Sequence, residues 1–433
     1  METEDAHLAL FNRQPHLLKF WDNLSQEQRE FLIAQYRAID VDDAIENFKL
    51  SAVQPELRGI DSIEESRCSA AEKLNATDLS RYWEKGLKAI AEGKVAVVVL
   101  AGGQASRLGA TSPKGMLSIG IKSCDSLFEL QAARIARLQH LAEREFPGRK
   151  GVIQWLVMTS DHTKEETTEH FKKIISKFGL SMDQVTIFKQ GKMPCFDLEG
   201  NFILADKGKI ALAPDGNGGL YAAIEPYLEK LHSLGTKYFH VYCVDNILCR
   251  VADPHFLGFC IENNADCAAK AVEKTDPNEA VGVICRVDGK VKVVEYSELD
   301  QSLAEKRLPD GLCTKECRLS FHRASKKIPY VNDSGIVVKP NYPNGVKNFF
   351  VWEVSRGKEF SPLKNADSVG KDCLKTCKRD LQAEHRRWLA KAGAIIEGDG
   401  HIFIHPLKSY IGEDLEEFKG QHLSTPLILA PEE

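Results

Sequence analysis

The sequence contains no apolar run long enough to cross a bilayer and no large excess of either charge. Its longest continuous apolar run covers residues 95–101, whereas a transmembrane helix needs about 20 apolar residues. The 433 residues include 57 Lys and Arg against 62 Asp and Glu, which gives a net charge of −5. A chain that binds nucleic acid usually carries a basic surface. We therefore expect neither a membrane nor a nucleic acid as a partner.

Signal-peptide features, internal repeats and low-complexity segments are also missing. Residues 1–6 contain three acidic side chains and no positively charged segment that precedes an apolar one, so the pattern of a secretory leader is not found. The predicted compartment is the cytoplasm. The twelve cysteines suit that reducing compartment, because most of them lie in apolar stretches where a free thiol packs as a small hydrophobe.

Two cysteine pairs, Cys313 with Cys317 and Cys373 with Cys377, share a spacing that structural zinc sites can use. The two pairs lie in dissimilar sequences, and no turn glycine separates the members of either pair. We therefore favour free thiols. A zinc-stapled interaction protein is kept as the weakest alternative.

The length predicts two or three domains, and the sequence pattern changes twice along the chain. Residues 1–92 have helix-like apolar spacing, which predicts a helical N-terminal region. In residues 93–355, buried strands alternate with amphipathic helices, which predicts an α/β domain with a doubly wound, mostly parallel, Rossmann-like sheet. Residues 356–433 are more polar and predict a small C-terminal α+β part.

Local patterns place the individual elements. The strands are predicted from β-branched or aromatic runs at 95–100, 152–158, 185–188 and 238–244. Helices are predicted to begin at the capping-box sequences that start with Ser25, Ser126 and Thr163. A further helix is predicted at 220–234, and two alternating runs around Asp288 and Gly289 predict a β-hairpin over 282–295.

The loop after the first strand is rich in small residues. It continues from Leu100 as Ala-Gly-Gly-Gln-Ala-Ser-Arg-Leu-Gly, followed by Pro-Lys-Gly-Met at 113–116. Small residues let backbone N–H groups approach a polyphosphate, and Arg107 and Lys114 add positive charge. Neither a dinucleotide fingerprint nor a Walker loop can be threaded through it. A plain βα turn with surface charges is the alternative, and the combination of residues disfavours it.

Two further loops follow predicted strands or lead into predicted helices. The glycine-rich segment 213–219 includes Gly216 and Asn217, which would suit the reading of a base edge. Asp245 comes at the end of the strand 238–244, where a carboxylate could hold Mg²⁺ together with substrate phosphates. From local sequence alone, an ordinary turn and a strand-end cap stay open for these two positions.

Six motifs in one order point to a known family. The chain resembles the eukaryotic UDP-N-acetylglucosamine (UDP-N-acetylhexosamine) pyrophosphorylases in Leu-Ala-Gly-Gly-Gln-x-x-Arg-Leu-Gly, Pro-Lys-Gly-Met, Ala-Pro-Asp-Gly-Asn-Gly-Gly-Leu-Tyr, His-Val-Tyr-Cys-Val-Asp-Asn-Ile-Leu, Val-Glu-Tyr-Ser-Glu and Phe-Ser-Pro-Leu-Lys-Asn-Ala-Asp-Ser. The resemblance covers nearly the whole chain. It implies a GT-A-like nucleotidyltransferase fold and Mg²⁺-assisted transfer of uridylate from UTP to N-acetylglucosamine 1-phosphate, with release of pyrophosphate.

The same resemblance implies a role for each matching residue. Catalytic roles at the phosphates fall to Arg107, Lys114 and Lys364, and the metal ligand is Asp245. Nucleotide binding is implied for Leu100, Ala101, Gly102, Gly103, Gln190, Gly216 and Asn217. Contacts to the N-acetylsugar are implied for Gly282 and Glu295, and Lys347 matches a further family lysine near the substrate.

The chain departs from the family pattern in three places. Ala105 and Ser106 replace the usual Gly-Thr, and because alanine tolerates positive φ poorly, the loop is expected to be slightly less accommodating. An Asn-Ala-Gly-Asn signature between Ser297 and Lys327, and a Phe-x-Phe-Asp strand after Lys347, are missing. Impaired activity, a uridylyltransferase for another sugar 1-phosphate and a catalytically silent UTP-binding regulator therefore stay open, as does a homodimer.

Overall fold

The computed structural model describes residues 9–51, 60–121, 123–274, 282–287, 290–294, 330–331, 337–338 and 348–431. The α-helices bounded within these ranges are α1 (Gln26–Arg37), α2 (Val41–Ser51), α3 (Ala76–Ala91), α4 (Leu127–Glu145), α5 (Lys164–Ile174), α6 (Leu220–Ile224), α7 (Leu228–Ser233), α8 (Pro254–Glu262), α9 (Arg356–Glu359) and α10 (Leu374–Ala392).

The strands within residues 60–243 are β1 (Ile60–Asp61), β2 (Cys68–Ala70), β3 (Val95–Leu100), β4 (Gln154–Thr159), β5 (Val185–Lys189), β6 (Lys192–Pro194), β7 (Leu204–Asp206), β8 (Lys209–Ile210), β9 (Leu212–Pro214) and β10 (Tyr238–Cys243). The remaining strands are β11 (Cys267–Ala271), β12 (Val283–Val287), β13 (Lys290–Val294), β14 (Tyr330–Val331), β15 (Val337–Val338), β16 (Phe349–Glu353), β17 (Ile395–Glu397), β18 (Ile402–Ile404), β19 (His422–Ser424) and β20 (Leu427–Leu429).

The chain divides into two compact units. The first contains residues 1–58 and 190–222, and the second contains residues 59–189 and 223–433. The three-part division at residues 92 and 355 describes sequence character rather than contacts, and it stays a prediction. No helix in the described ranges is long and apolar enough to span a bilayer.

A four-stranded parallel sheet forms the centre of the second unit. Its order is β10-β3-β4-β5, and every residue of β3 is buried. The core around β3 and β4 is completed by α4, on which Phe128, Ile135 and Leu138 are fully buried. Continuous apolar strands are typical of a sheet covered on both faces. The predicted α/β class with a parallel sheet is confirmed.

The strand order creates a switch point between β3 and β10. From β3 the chain moves outward to β4 and then β5, and it returns to the opposite side of β3 for β10. The loops that leave β3 and β10 therefore diverge at the same sheet edge. In open α/β sheets, ligands bind at this kind of crevice beyond the carboxyl ends of the strands.

Smaller sheets complete the second unit. β11, β16 and β2 form a parallel three-stranded sheet, whereas β12 and β13 form an antiparallel hairpin with β1 at its edge. That hairpin was predicted from alternation and is confirmed. Two parallel pairs, β17 with β19 and β18 with β20, lie in the C-terminal part next to α10, which confirms the predicted β-like character of that part.

The first unit has its own apolar core. Phe11, Trp21, Leu32, Tyr36 and Phe202 are buried in it. Residues 192–214 contribute two antiparallel pairs, β6 with β9 and β7 with β8. Helical segments dominate residues 9–51, as predicted for the N-terminal region 1–92, whereas residues 60–61 and 68–70 of that region form the short strands β1 and β2.

Two of the three predicted capping boxes are confirmed. The Ser25 and Ser126 hydroxyls accept hydrogen bonds from the backbone N–H groups three residues later, and the partner side chains bond back. The box at Thr163 is wrong. Thr163 has helical backbone angles and makes no capping bond, because its hydroxyl accepts the N–H of Ser160 instead, at 3.0 Å.

The helix predicted at 220–234 is divided into three segments. A 3₁₀ turn, Glu225–Tyr227, separates α6 from α7. Pro226 lies in this turn, and because proline has no N–H and its ring crowds the preceding turn, a regular α-helix cannot pass through it unbroken.

Candidate active site

The loop after β3, residues 101–116, is here named the phosphate loop, and it is folded on its own backbone. The Lys114 N–H donates to the Gly103 carbonyl at 3.2 Å, and the Ala105 N–H donates to the Ser112 carbonyl at 3.1 Å. Gln104 and Pro113 form an isolated antiparallel bridge. These bonds bring Lys114 back beside the glycines that begin the loop.

The residues implied for nucleotide binding at the start of this loop differ in what they can offer a ligand. The Leu100 carbonyl accepts the Val244 N–H at 3.2 Å, and the Ala101 N–H donates to the Met158 carbonyl at 2.8 Å. Both groups are therefore used by the sheet. Gly103 is exposed, and a Cβ added to it would meet nothing within 4 Å, so the open surface begins at Gly102 and Gly103.

Ala105 causes no strain, and the expectation of a less accommodating loop is wrong. Its φ is −82°, an ordinary value for alanine, and the residue is buried. The left-handed position of this loop is Gly109, with a φ of +79°. Glycine is also required at Gly115, because a Cβ there would come within 2.2 Å of the Phe128 ring.

The loop after β10, residues 244–248, is here named the Asp245 loop, and it meets the phosphate loop at the switch point. The Lys114 ammonium lies 3.4 Å from the Asp245 carboxylate, and each side chain is 18% exposed. The structure thus brings together a predicted catalytic cation and the predicted metal ligand, which lie 131 residues apart in the chain. Their partial exposure leaves the carboxylate accessible to a ligand.

Backbone hydrogen bonds place Lys364 at the same edge of the parallel sheet as Asp245. The N–H of its neighbour Leu363 donates to the Asp245 carbonyl at 2.9 Å, and the Lys364 N–H donates to the Asp372 carbonyl at 2.7 Å. Within the described ranges no carboxylate lies within ion-pair distance of the Lys364 ammonium, and the same holds for the exposed Arg107 guanidinium. Both cations are therefore available to an anionic ligand.

Cys243, the last residue of β10, reports on these charges. Desolvation by the surrounding protein raises the pKa of its thiol to about 11, the Asp245 carboxylate acts in the same direction, and Lys364 and Lys114 oppose it. The side chain is nevertheless exposed. Asp245, Lys114 and Lys364 are therefore all close enough to Cys243 to act on the charge of its thiol.

Asp245 fits a Mg²⁺ ion that is shared with a substrate. Mg²⁺ is usually bound through one or two carboxylates and substrate phosphates, and it keeps several waters. In the part of the chain that the structure describes, no group of three acidic, histidine or cysteine side chains could chelate a metal by itself. A metal held by Asp245 would therefore depend on the phosphates for further ligands.

The first unit brings its own predicted residues together. The Asp215 N–H donates to the Gly191 carbonyl at 3.2 Å, next to the antiparallel pair β6 and β9, so Gln190 and Gly216 are close. Gly216 has a φ of +74°, and residues Asn217–Gly219 form a 3₁₀ turn. The local turn is compatible with a role in base recognition, which stays a prediction.

The predicted sugar contacts are described in part. Gly282 is buried directly before β12. Glu295 and Lys347 lie outside the described residues, as do Cys313 and Cys317. The other cysteine pair, Cys373 and Cys377, consists of buried free thiols.

Asn246 was not assigned a role from the sequence, although it stands beside Asp245 in a motif of the resemblance. Its side-chain amide donates to the Glu359 carbonyl at 2.7 Å, and its side-chain oxygen accepts the Ser361 N–H at 2.9 Å. An amide directly after a strand-end carboxylate was the only sequence signal for this contact.

Three comparisons place the chain among known proteins. The family model described as UTP--glucose-1-phosphate uridylyltransferase matches residues 49–308. The UDP-N-acetylhexosamine pyrophosphorylase-like protein 1 of Xenopus tropicalis is 40% identical, with 96% of this chain and 94% of that protein covered. The UDP-N-acetylglucosamine diphosphorylase 2 of Arabidopsis thaliana is 37% identical, with 96% and 92% covered.

A solved structure gives the same answer. The uridine diphosphate N-acetylglucosamine pyrophosphorylase of Trypanosoma brucei, crystallised with an inhibitor, superimposes with a TM-score of 0.76 at 28% identity. The match covers 96% of this chain and 95% of that chain. The arrangement of the sheets described above is therefore shared with a protein of that description.

Proposed function

Because this chain belongs to the UDP-N-acetylhexosamine pyrophosphorylase family, we propose that it transfers the uridylyl group of UTP to N-acetylglucosamine 1-phosphate. The products are UDP-N-acetylglucosamine and pyrophosphate. The family membership supports a nucleotidyltransferase. The observation that carries the assignment to this chain's own residues is the meeting of Lys114, Asp245 and the Lys364 segment at the switch point of the parallel sheet.

The reaction needs positioning and charge neutralisation rather than a covalent intermediate on the protein. A phosphate oxygen of the sugar 1-phosphate attacks the α-phosphorus of UTP, and the bond from that phosphorus to the pyrophosphate oxygen breaks. Negative charge grows on the leaving pyrophosphate. Lys114 and Arg107 on the phosphate loop, with Lys364 directly after the Leu363 that bonds to Asp245, supply fixed positive charge for it.

We further propose Mg²⁺ as the cofactor. When bound, it would neutralise phosphate charge and orient the α-phosphate for in-line attack. Asp245 would hold it from the protein side, and Lys114, which lies 3.4 Å from Asp245, would face a phosphate oxygen. The glycines at the start of the phosphate loop would let backbone N–H groups approach the same phosphates.

The proposed function is tested by measuring pyrophosphate release from UTP with N-acetylglucosamine 1-phosphate, N-acetylgalactosamine 1-phosphate and glucose 1-phosphate. We expect Mg²⁺-dependent release with an N-acetylhexosamine 1-phosphate and formation of the matching UDP-sugar. Release with glucose 1-phosphate alone would instead assign the protein to another sugar. Binding of UTP by calorimetry without product from any sugar phosphate would identify a silent regulator.

Other properties remain proposals from the sequence. We propose a cytoplasmic location and no nucleic acid or membrane partner, on the basis of the balanced charge and the short apolar runs. For the oligomeric state we propose a homodimer. Gel filtration with light scattering would decide between a monomer and a dimer.

A further inference from the structure

We propose that Asn246 is a positioning residue, whose side-chain amide fixes the distance between the metal ligand Asp245 and the phosphate-binding Lys364. This inference rests on the proposed function, because it assigns Asn246 to the same site. It is carried by a set of contacts that join the Asp245 loop to residues 359–364, more than a hundred positions further along the chain.

Both polar atoms of the Asn246 side-chain amide form hydrogen bonds. Its nitrogen donates to the Glu359 carbonyl at 2.7 Å, and its oxygen accepts N–H groups of Ser361 at 2.9 Å and Leu248 at 3.3 Å. Asn246 and Pro362 also form an isolated antiparallel bridge. The side chain therefore joins the Asp245 loop and the segment 359–362, which leads directly to Lys364.

Glu359, to which the Asn246 amide donates, is itself held in place by buried ion pairs. The Glu359 carboxylate contacts the Lys270 ammonium at 2.5 Å and the Arg250 guanidinium at 2.9 Å, and its side chain is 5% exposed. Lys270 also contacts Asp253 at 2.5 Å. Burial alone would lower the pKa of Lys270, but Asp253 and Glu359 outweigh burial and raise it, so Lys270 stays charged. Removing one partner from a buried ion pair is costly, which makes Glu359 a rigid anchor.

The contacts of Asn246 affect the position of Lys364 relative to Asp245. Lys364 follows segment 359–362 after one residue, Leu363, whose N–H bonds to the Asp245 carbonyl at 2.9 Å. A shift of the segment would therefore move Lys364 relative to Asp245. The Asn246 side-chain amide supplies a donor to the Glu359 carbonyl and an acceptor for the Ser361 N–H together. A displacement of about 1 Å at a reacting centre can cost about a hundredfold in rate. Asn246 therefore acts through Lys364 and Asp245, without having to touch the substrate.

The test is a double-mutant cycle between Asn246→Ala and Lys364→Ala, read out as the affinity for UTP in the presence of Mg²⁺ by calorimetry. In the wild-type background we expect Lys364→Ala to weaken binding about tenfold, or about 1.4 kcal/mol. In the Asn246→Ala background we expect less than about a twofold further loss, because a displaced Lys364 has little left to contribute. If Asn246→Ala does not fold, Asn246→Gln replaces it in the cycle. Glutamine keeps both polar atoms of the amide on a longer side chain, so Lys364→Ala should again weaken UTP binding by less than about twofold in that background.

Asn263→Ala is the matched control. The Asn263 amide donates to the Phe259 carbonyl at 2.9 Å, away from the candidate site, so the effect of Lys364→Ala should stay at about tenfold in that background. An equal loss from Lys364→Ala in the Asn246→Ala, Asn246→Gln and wild-type backgrounds would overturn the inference and leave Asn246 with a structural role only.

The two claims can fail separately. If the wild-type protein binds UTP with Mg²⁺ but releases no pyrophosphate with any sugar 1-phosphate, the proposed function fails, and the binding cycle still decides the role of Asn246. If the wild-type protein does not bind UTP, both claims are overturned.

Discussion

The phosphate loop and the Asp245 loop meet at one site but are built differently. The backbone hydrogen bonds that fold the phosphate loop, such as Lys114 to Gly103 and Ala105 to Ser112, join residues within 101–116, and its cation Arg107 is exposed. The Asp245 loop instead bonds to residues 359–363, with Asn246 and Glu359 separated by 113 positions. One loop is a local structure, and the other is fixed by contacts from a distant part of the chain.

This difference follows from what each loop has to hold. A polyphosphate can be surrounded by flexible cations and backbone N–H groups, so a short glycine-containing loop is sufficient. A metal ligand must keep its position relative to the phosphates within a few tenths of an ångström, which requires rigid support. We therefore expect that changes at the Asp245 loop mainly affect the reaction, whereas some changes in the phosphate loop affect stability and others affect binding.

The largest effect is expected at Asp245. Asp245→Asn keeps the shape of the side chain and removes the charge that would hold Mg²⁺, so we expect kcat to fall about a thousandfold. The melting temperature should hardly change, because a partly exposed ion pair contributes about 0–1 kcal/mol. The measurement is pyrophosphate release over a range of Mg²⁺ concentrations.

The control for Asp245→Asn is Asp42→Asn, which breaks the exposed ion pair with Arg13. It should leave kcat unchanged. A normal kcat in Asp245→Asn at low Mg²⁺ would remove Asp245 from the metal site.

A somewhat smaller effect is expected at Lys114, which links the two loops. Lys114→Ala removes one fixed cation from the developing charge, and we expect kcat to fall about a hundredfold with the protein still folded. Circular dichroism and pyrophosphate release measure the two quantities. Lys172→Ala, at an exposed lysine paired with Glu169, should behave as the wild type, and unchanged turnover in Lys114→Ala would exclude Lys114 from the site.

Two glycines of the phosphate loop should separate stability from binding. In Gly115→Ala the new methyl group meets the Phe128 ring at 2.2 Å, so we expect a loss of about 1–3 kcal/mol in the free energy of unfolding. In Gly103→Ala the methyl group meets open space, so stability should be kept while affinity for UTP falls about threefold to tenfold through contact with the ligand. Urea unfolding and calorimetry on both variants check this. Equal UTP affinity in Gly103→Ala and wild type would place the nucleotide elsewhere.

The smallest effect is expected at Ala105. The change Ala105→Gly restores the residue of the family pattern, but because φ is already −82°, we expect no gain in kcat. The free energy of unfolding should fall by about 0.4–1 kcal/mol through the greater freedom of glycine in the unfolded chain. A clear increase in kcat would show that the alanine does constrain the loop.

The same comparison explains what the sequence could predict. The phosphate loop is encoded by neighbouring residues, so its position after a buried strand and its small residues could be recognised directly. The strands β3 and β10 are predicted from β-branched or aromatic runs, and the caps at Ser25 and Ser126 from a four-residue pattern. Each of these features depends on residues that are close in the chain.

The features that were missed depend on competition or on distant contacts. The Thr163 hydroxyl can accept either a capping hydrogen bond or the Ser160 N–H. The capping pattern in the sequence does not show which of the two hydrogen bonds forms. The role of Asn246 depends on Glu359 and Ser361, which approach it only in the folded chain. A side-chain amide has no sequence pattern that identifies a partner at such a distance.

The most direct test of the proposed uridylyl transfer follows UTP and N-acetylglucosamine 1-phosphate by phosphorus NMR in the presence of the wild-type protein. We expect the signals of pyrophosphate and UDP-N-acetylglucosamine to grow at equal rates when Mg²⁺ is present, and neither signal to grow when it is removed. Unchanged substrate signals with Mg²⁺, or the appearance of UDP and inorganic phosphate instead, would contradict it.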